Sequence, residues 1–368
     1  MTNSRIIRST LFLAAVLATA IAVSGCGEKS ENVDAAKIKL DRVTLLLDWT
    51  PNADHAGIYT ANSNGDFKQQ ALQVAPQVPS DPAAVIKQVA AGRADLGISY
   101  TSEVLKARES GAKVRAVAAL VPTPLNSIIW LKKSGIKNIK DLKGKTVGVS
   151  GDGQSSTLET ILKKNGVDPK DVKQVNVGYD LQKYLVSGKV DATITGYWNV
   201  EGVQLKQAGL KATVVPVDKA GSPTYNELVV IASEDSLKDG RRVEIYRRFL
   251  AGLKNGTAAA VANPSLPYAA IAKAAPDIAA KAADKAFLKE SIKVTLPVMK
   301  QQPGAAYGYM DPTVWDTYGK WMHDNGLLKE TGVNYVDAID NDLLPGVGPT
   351  AEESSPNGDD DTGSVNSQ

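Results

Sequence analysis

The chain has 368 residues, 43% of them hydrophobic and 22% charged, with a formal net charge of +2. That suits one large or two ordinary globular domains. Residues 1–25 carry Arg5 and Arg8 and no acid, and residues 351–368 carry Glu352, Glu353, Asp359, Asp360 and Asp361 and no base. The body, 26–350, is left at +5, an excess too weak for its size to point to nucleic acid.

Residues 1–25 read as a lipoprotein signal peptide. Arg5 and Arg8 are the charged region, and Leu11–Val23 is an apolar stretch too short to span a bilayer comfortably. It ends in Val23-Ser24-Gly25-Cys26, which resembles a bacterial lipobox. In such signals the cysteine is diacylated and becomes the mature N-terminus. Cys26 is the one cysteine of the chain, which excludes disulfides. Residues 26–40 then form a polar tether. No second apolar run of spanning length follows, so the expected product is a soluble, extracytoplasmic body anchored to the cell membrane through lipid on Cys26.

Val43–Leu47 is an apolar run that predicts a buried strand. Pro51 and Asn52 mark a loop, and His55–Ala61 begins a helix. A strand feeding a helix through a short loop delivers Asp48, Trp49, Asn52, Asp54 and His55 to the carboxyl edge of a sheet, where open α/β sheets bind ligands. Asp81-Pro82 starts the next helix, with Val85, Ile86, Val89 and Ala90 as its apolar stripe and Gly92 at its end. Ala94–Tyr100 is the following strand.

The same order recurs at 146–198. Thr146–Val149 is a short strand, and Gly151–Gln154 a turn. Ser156 and Glu159 form a capping box for a helix carrying Leu158, Ile161 and Leu162. Ser187–Thr195 parallels Ala91–Ser99 in a small-Gly-basic-x-Asp pattern followed by alternating apolar residues. The repeat predicts two similar α/β lobes, each ending a strand in a polar, aromatic exit: Ser99–Glu103 and Thr195–Glu201. Asn126–Leu131 and Asn226–Ala232, each following prolines, read as crossings. They bound a first lobe of 41–130 plus 226–350 and an inserted second lobe of 131–225. The last third reads as helices at Arg242–Val261, Leu266–Ala274, Ala283–Val294 and Pro312–Asn325. Trp315, Tyr318 and Met322 form a packing stripe on the last of these, and His323 is a surface or dipole partner. Residues 351–368, acidic and poor in apolar residues, are expected to be disordered.

Asp48–Tyr59 resembles the opening motif of the thiamine-pyrimidine superfamily, which includes yeast-type pyrimidine synthases and bacterial ThiY-type precursor-binding proteins. Gly196–Gly202 and Asp141–Val149 are similar to that family and to its SsuA-like sulfonate- and nitrate-binding relatives. The resemblance covers roughly residues 41–340. It implies a two-lobe type II periplasmic-binding-protein fold with a ligand cleft between lobes, and a role as substrate-binding lipoprotein of an ABC importer. The permease and ATPase subunits would be its protein partners.

Trp49, Tyr100, Tyr197 and Trp198 are candidates to stack on a ring. Asn52, Glu103, Asp152 and Glu201 are candidates to pair with ring nitrogens or amino groups, and His55 completes the set. Trp49 and Glu201 are expected to face each other across the cleft. A sulfonate or nitrate calls for arginine or a backbone nest, and neither the exits nor the opening motif holds arginine. The ligand expected is a thiamine-related aminopyrimidine. Riboflavin or another fused heterocycle, and a sulfonate or nitrate, stay open. The synthase alternative needs a histidine, iron and cysteine-rich chemistry that one lipid-bound cysteine and two histidines do not offer, so no enzyme, cofactor or metal is expected.

Overall fold

The computed structural model describes residues 39–178, 180–301, 303–330 and 333–346. The expected signal peptide, Cys26, most of the tether and the acidic tail lie outside the described residues. From the start of the body the elements run β1 (Asp41–Leu46), α1 (Ala56–Asn64), α2 (Asp66–Gln69), β2 (Leu72–Gln77), α3 (Val85–Ala90), β3 (Leu96–Tyr100), α4 (Thr101–Glu109) and β4 (Val114–Val121). Then come β5 (Asn126–Leu131), β6 (Thr146–Val149), α5 (Asp152–Lys164), β7 (Lys173–Asn176), α6 (Leu181–Ser187), β8 (Ala192–Tyr197), α7 (Glu201–Gln207), β9 (Ala212–Pro216) and α8 (Val217–Ala220). The chain finishes with β10 (Leu228–Ser233), α9 (Gly240–Ala262), α10 (Ser265–Ala274), α11 (Ala282–Met299) and α12 (Pro312–Asp324). None of the described helices is long and apolar enough to cross a membrane.

Two five-stranded sheets organise these elements, in the orders β2-β1-β3-β10-β4 and β7-β6-β8-β5-β9. In each, three parallel strands are joined by one antiparallel strand that carries a fifth. Strands buried on both faces read as continuous apolar runs, which is why Leu228–Ser233 and Asn126–Leu131 are buried throughout. Helices cover both faces of each sheet and close separate cores: around Phe249 and Trp315 for the first sheet, and around Trp130 and Leu185 for the second. The fold is α/β with two lobes.

The small-Gly-basic-x-Asp repeat has a structural meaning. Asp95 Oδ2 accepts the Thr44 N–H at 2.7 Å, and its own N–H donates to Thr44 O. Asp191 does the same with Thr146, at 2.9 Å. Each aspartate sits just before a strand and pins its start to the parallel neighbour. The two halves thus share register as well as order.

Three expectations change. Asn126–Leu131 is not a crossing, and neither is Asn226–Ala232 beyond its first two residues: β5 lies between β8 and β9 in the second sheet, and β10 between β3 and β4 in the first. The chain passes between sheets at 122–125 and returns through 217–227. Second, the expected turn at Gly151–Gln154 is already the first turn of α5, which begins at Asp152 behind Gly151 with no side-chain cap. Asp152 in that turn complements the helix dipole, and Ser156 lies one turn inside. Third, α12 contributes more than a packing stripe. Trp315, Tyr318 and Met322 are all buried in the core as a stripe would be, and Tyr318, Trp321 and Met322 also border the space between the sheets.

Candidate functional site

A cleft of about 710 Å³ lies between the two sheets. Its walls come from the segment after β1, the β3–α4 junction, the start of α5, the ends of β8 and β5, the return crossing, and α12. The arrangement follows from topology. β1, β3, β6 and β8 are parallel within their sheets, and the segments leaving their carboxyl ends converge on one space.

Asp48 stands where the chain leaves β1 and is 5% exposed. His55 Nε2 lies 2.8 Å from its Oδ1, and the Tyr100 hydroxyl donates to its Oδ2 at 2.8 Å. The Asn52 N–H donates to His55 Nδ1 at 3.3 Å, which assigns the ring proton to Nε2, facing Asp48. Burial opposes ionisation of Asp48, but the hydrogen bonds from His55 and the Tyr100 hydroxyl outweigh it and hold the carboxyl below the usual range.

A second tyrosine–carboxylate pair stands at the foot of β10. Tyr197 donates its hydroxyl to Glu227 Oε1 at 2.8 Å, while Glu227 Oε2 accepts the N–H groups of Leu125, at 2.7 Å, and Asn126, at 3.4 Å. The Tyr225 hydroxyl also bonds this carboxyl. Burial pushes Glu227 above the usual carboxylate range, and neutral donors offset only part of that. Glu227 thereby ties the return crossing to the outward one. Asn226 does likewise, donating to Pro122 O and accepting from Trp315 Nε1.

A third buried acid lies behind the opening loop. Asp54 Oδ1 accepts from Asn199 Nδ2 at 2.7 Å, and burial pushes its carboxyl up to about 7. Asn199 also donates to Thr295 Oγ1, and its carbonyl accepts from Ser291 Oγ. These bonds join the β8–α7 turn to the first lobe. On another side, Tyr225, Tyr318 and Trp321 form a stack, with ring centroids 4.6 and 5.3 Å apart in turn.

Of the residues expected at the site, Trp49, Tyr100, Glu103, Asp152 and Tyr197 line the cleft. Trp49 is 52% exposed, a large apolar ring left open to solvent beside a polar floor. Asn52, His55, Trp198 and Glu201 do not line it. Asn52 is the N-cap of the 3-10 turn Ala53–His55, its Oδ1 accepting the Asp54 N–H, so its amide is spent locally. His55 is fully buried behind Asp48. Trp198 turns to the outward crossing and donates Nε1–H to Pro124 O. Glu201 folds back at the start of α7 to accept the Tyr197 N–H at 2.7 Å, so the expected Trp49–Glu201 pair across the cleft does not form. His323 also lies away from the cleft, beside Asp324.

Asn126, Tyr225, Glu227 and the α12 aromatics line the cleft without having been expected there, and Asp48, placed at that sheet edge from the sequence, lines it without having been among the candidate ligand partners. Asp48 had a signal, as the acid between a buried strand and Trp49. Glu227 had another: it is a carboxylate at the head of a wholly apolar strand, costly unless paired. Asn126 is 8% exposed, and its amide oxygen accepts the Ser127 N–H, which leaves the amide nitrogen to donate. Five carboxyl side chains line the cleft (Asp48, Asp81, Glu103, Asp152 and Glu227) against one amine, Lys106, and no guanidinium. Among the described residues no group of three or more His, Cys, Asp or Glu side chains is placed to hold a metal ion.

Comparison with known proteins matches residues 52–266 to a family described as NMT1/THI5 like. The formylaminopyrimidine-binding protein of Halalkalibacterium halodurans is 30% identical over 84% of this chain and 92% of its own. The 4-amino-5-hydroxymethyl-2-methylpyrimidine phosphate synthase THI13 of Saccharomyces cerevisiae is 26% identical over 83% of this chain and 88% of its own. Among solved structures, the periplasmic aliphatic sulphonate binding protein SsuA from Escherichia coli superposes with a TM-score of 0.63 at 17% identity, covering 82% of this chain and 92% of that one. The likeness to SsuA is one of fold.

Proposed function

The chain belongs to the NMT1/THI5-like family, and from that premise we propose that it is the extracytoplasmic receptor of an ABC importer for a thiamine-related aminopyrimidine. The observation that carries the reading is the charge of the cleft. Five carboxyl groups and one amine favour a ligand that presents N–H donors and carries no negative charge. An exocyclic amino group meets an ionised acceptor in Asp48, whose His55 and Tyr100 bonds leave lone pairs for a ligand. Asn126 offers the complementary donor for a ring nitrogen. Trp49 covers one face of the ring. This is the pairing first expected of Glu201 and Asn52, met by other residues.

The same balance counts against a sulfonate or nitrate, which needs fixed cations or a nest of N–H groups. It also counts against a pyrimidine phosphate, the product named for the synthase relatives, and so favours a receptor over an enzyme. Riboflavin offers carbonyls where Asp48 asks for a donor, which leaves a buried acceptor facing an acceptor. The two lobes, of which the second holds β5 to β9, would close on the ligand about the paired crossings at 122–125 and 217–227. Lipid on Cys26 would hold the protein at the membrane beside the permease and ATPase subunits.

Calorimetric titration of ligand-stripped protein against an N-formylaminopyrimidine, its hydroxymethyl analogue, riboflavin, taurine and nitrate tests the ligand. Binding confined to the two pyrimidines is expected, and tight binding of riboflavin or taurine alone overturns it. Mass spectrometry of the incubated protein should find no pyrimidine phosphate formed. Cys26→Ala should release the protein from the membrane fraction; a variant that stays with the membranes removes lipid as the anchor.

A further inference from the structure

The stretch matched by the family model ends at residue 266, before α12, yet α12 supplies one wall of the cleft. Its aromatic ladder does more than fill space. Trp321 packs against the core of the first sheet, while α5 buries Leu158, Ile161 and Leu162 in the core of the second. Trp321 Nε1 donates to Thr160 Oγ1 on α5 at 2.9 Å. Thr160 uses its own proton on Ser156 O, also at 2.9 Å, so its hydroxyl is oriented to accept from the indole. On the other side of the stack, Tyr225 packs against both cores. Separating the lobes on the α5 side must break the indole–threonine bond or pull Trp321 off Tyr318.

We propose that Trp321 and Thr160 form a clasp that holds the lobes together over the occupied cleft, with the Tyr225–Tyr318–Trp321 stack as the wall that positions the ligand ring. The proposal rests on the cleft being the ligand site, as argued above. The clasp acts on release more than on capture. It forms once the lobes meet, so its loss lets the closed state open faster and leaves encounter nearly unchanged. Trp321 and Thr160 are positioning residues.

Thr160→Val removes the acceptor while keeping shape, and Trp321→Phe removes the donor while keeping an aromatic ring. Stopped-flow measurement with the N-formylaminopyrimidine should show dissociation faster by about 3- to 10-fold in each variant, the range of one neutral hydrogen bond. Association should stay within about 2-fold. The double variant should lose no more than either single one, because both remove the same bond. Parent-like dissociation in both single variants overturns the clasp. If the parent binds no aminopyrimidine, the ligand assignment fails, and small-angle scattering of ligand-free protein decides the clasp by itself. A larger maximum dimension for Thr160→Val than for the parent upholds it, and superimposable profiles overturn it.

Discussion

The exits of β3 and β8 invite comparison, because they begin alike and end differently. Both strands finish in a tyrosine, Tyr100 or Tyr197, whose hydroxyl donates at 2.8 Å to a buried carboxylate on another segment. At Asp48 the remaining partner is an imidazole, and the carboxyl is held below its usual range. At Glu227 the partners are backbone N–H groups and phenols, and burial keeps the carboxyl above its usual range. One pair is therefore an ionised acceptor facing the cleft. The other is a joint, spending its oxygens on both crossings between lobes. The chain beyond diverges accordingly: β3 runs straight into α4, leaving Thr101, Ser102 and Glu103 on the cleft wall, whereas β8 turns away through Trp198 and Asn199. A repeated motif thus serves the cleft in one lobe and the crossings between lobes in the other.

Replacing the acceptor should break that contrast most strongly. Asp48→Asn removes the charge that meets the ligand's amino group, and aminopyrimidine affinity measured by calorimetry should fall about 10- to 100-fold, the range for a hydrogen bond to a charged group. Parent-like affinity would move the ligand's amino group elsewhere. The tyrosines sharpen the comparison at lower amplitude. Tyr100→Phe should weaken binding about 3- to 10-fold, because it strips a donor from the ligand's own acceptor. Tyr197→Phe should change affinity by about 2-fold, since Glu227 keeps the Leu125, Asn126 and Tyr225 donors. Equal effects in the two variants would erase the distinction between site and joint.

The third acid gives a pH test. Asp54 has its carboxyl raised from 3.8 to about 7, first by burial. A raised carboxyl binds more protons folded than unfolded between those values, so its contribution to stability is full below about pH 4 and is lost as pH rises to about 7. Thermal melts of the parent should decline across that window, and Asp54→Asn should flatten the decline while keeping an acceptor for Asn199. An unchanged slope would assign the pH dependence to Glu227 and Glu201, both also raised by burial. The smallest effect is expected from Glu201→Gln. Glu201 serves the Tyr197 N–H, and an amide oxygen accepts equally well there. Ligand affinity should stay within about 2-fold of the parent, given that the group does not reach the cleft.

Much of this was legible from residue order. The apolar runs, the Asp95 and Asp191 repeats and the opening motif carry local information: a buried strand needs continuous apolar residues, and an aspartate before it can reach its neighbour's backbone. These were enough for two α/β lobes and for Trp49, Tyr100, Glu103, Asp152 and Tyr197 at the cleft. Asn52 and Glu201 look identical in sequence whether they face a ligand or cap a turn, since the same carbonyl or carboxylate oxygen accepts either way. Trp198 likewise shows an indole but not the carbonyl it will find.

What the sequence determined by itself is the periodicity, the doubled strand order and the chemistry present near each strand end. Only the tertiary structure decided which of those groups share one space. Asp48 and Glu227 meet their tyrosines across separations of 52 and 30 residues, and Trp321 reaches Thr160 across 161. Such pairings depend on where strands sit in a sheet and where crossings fall. β5 and β10 entered their sheets because burying an apolar strand on both faces and pairing its backbone outweighs leaving it exposed between lobes. Once they did, Glu227 and Asn126 were carried to the floor of the cleft and Glu201 was turned from it.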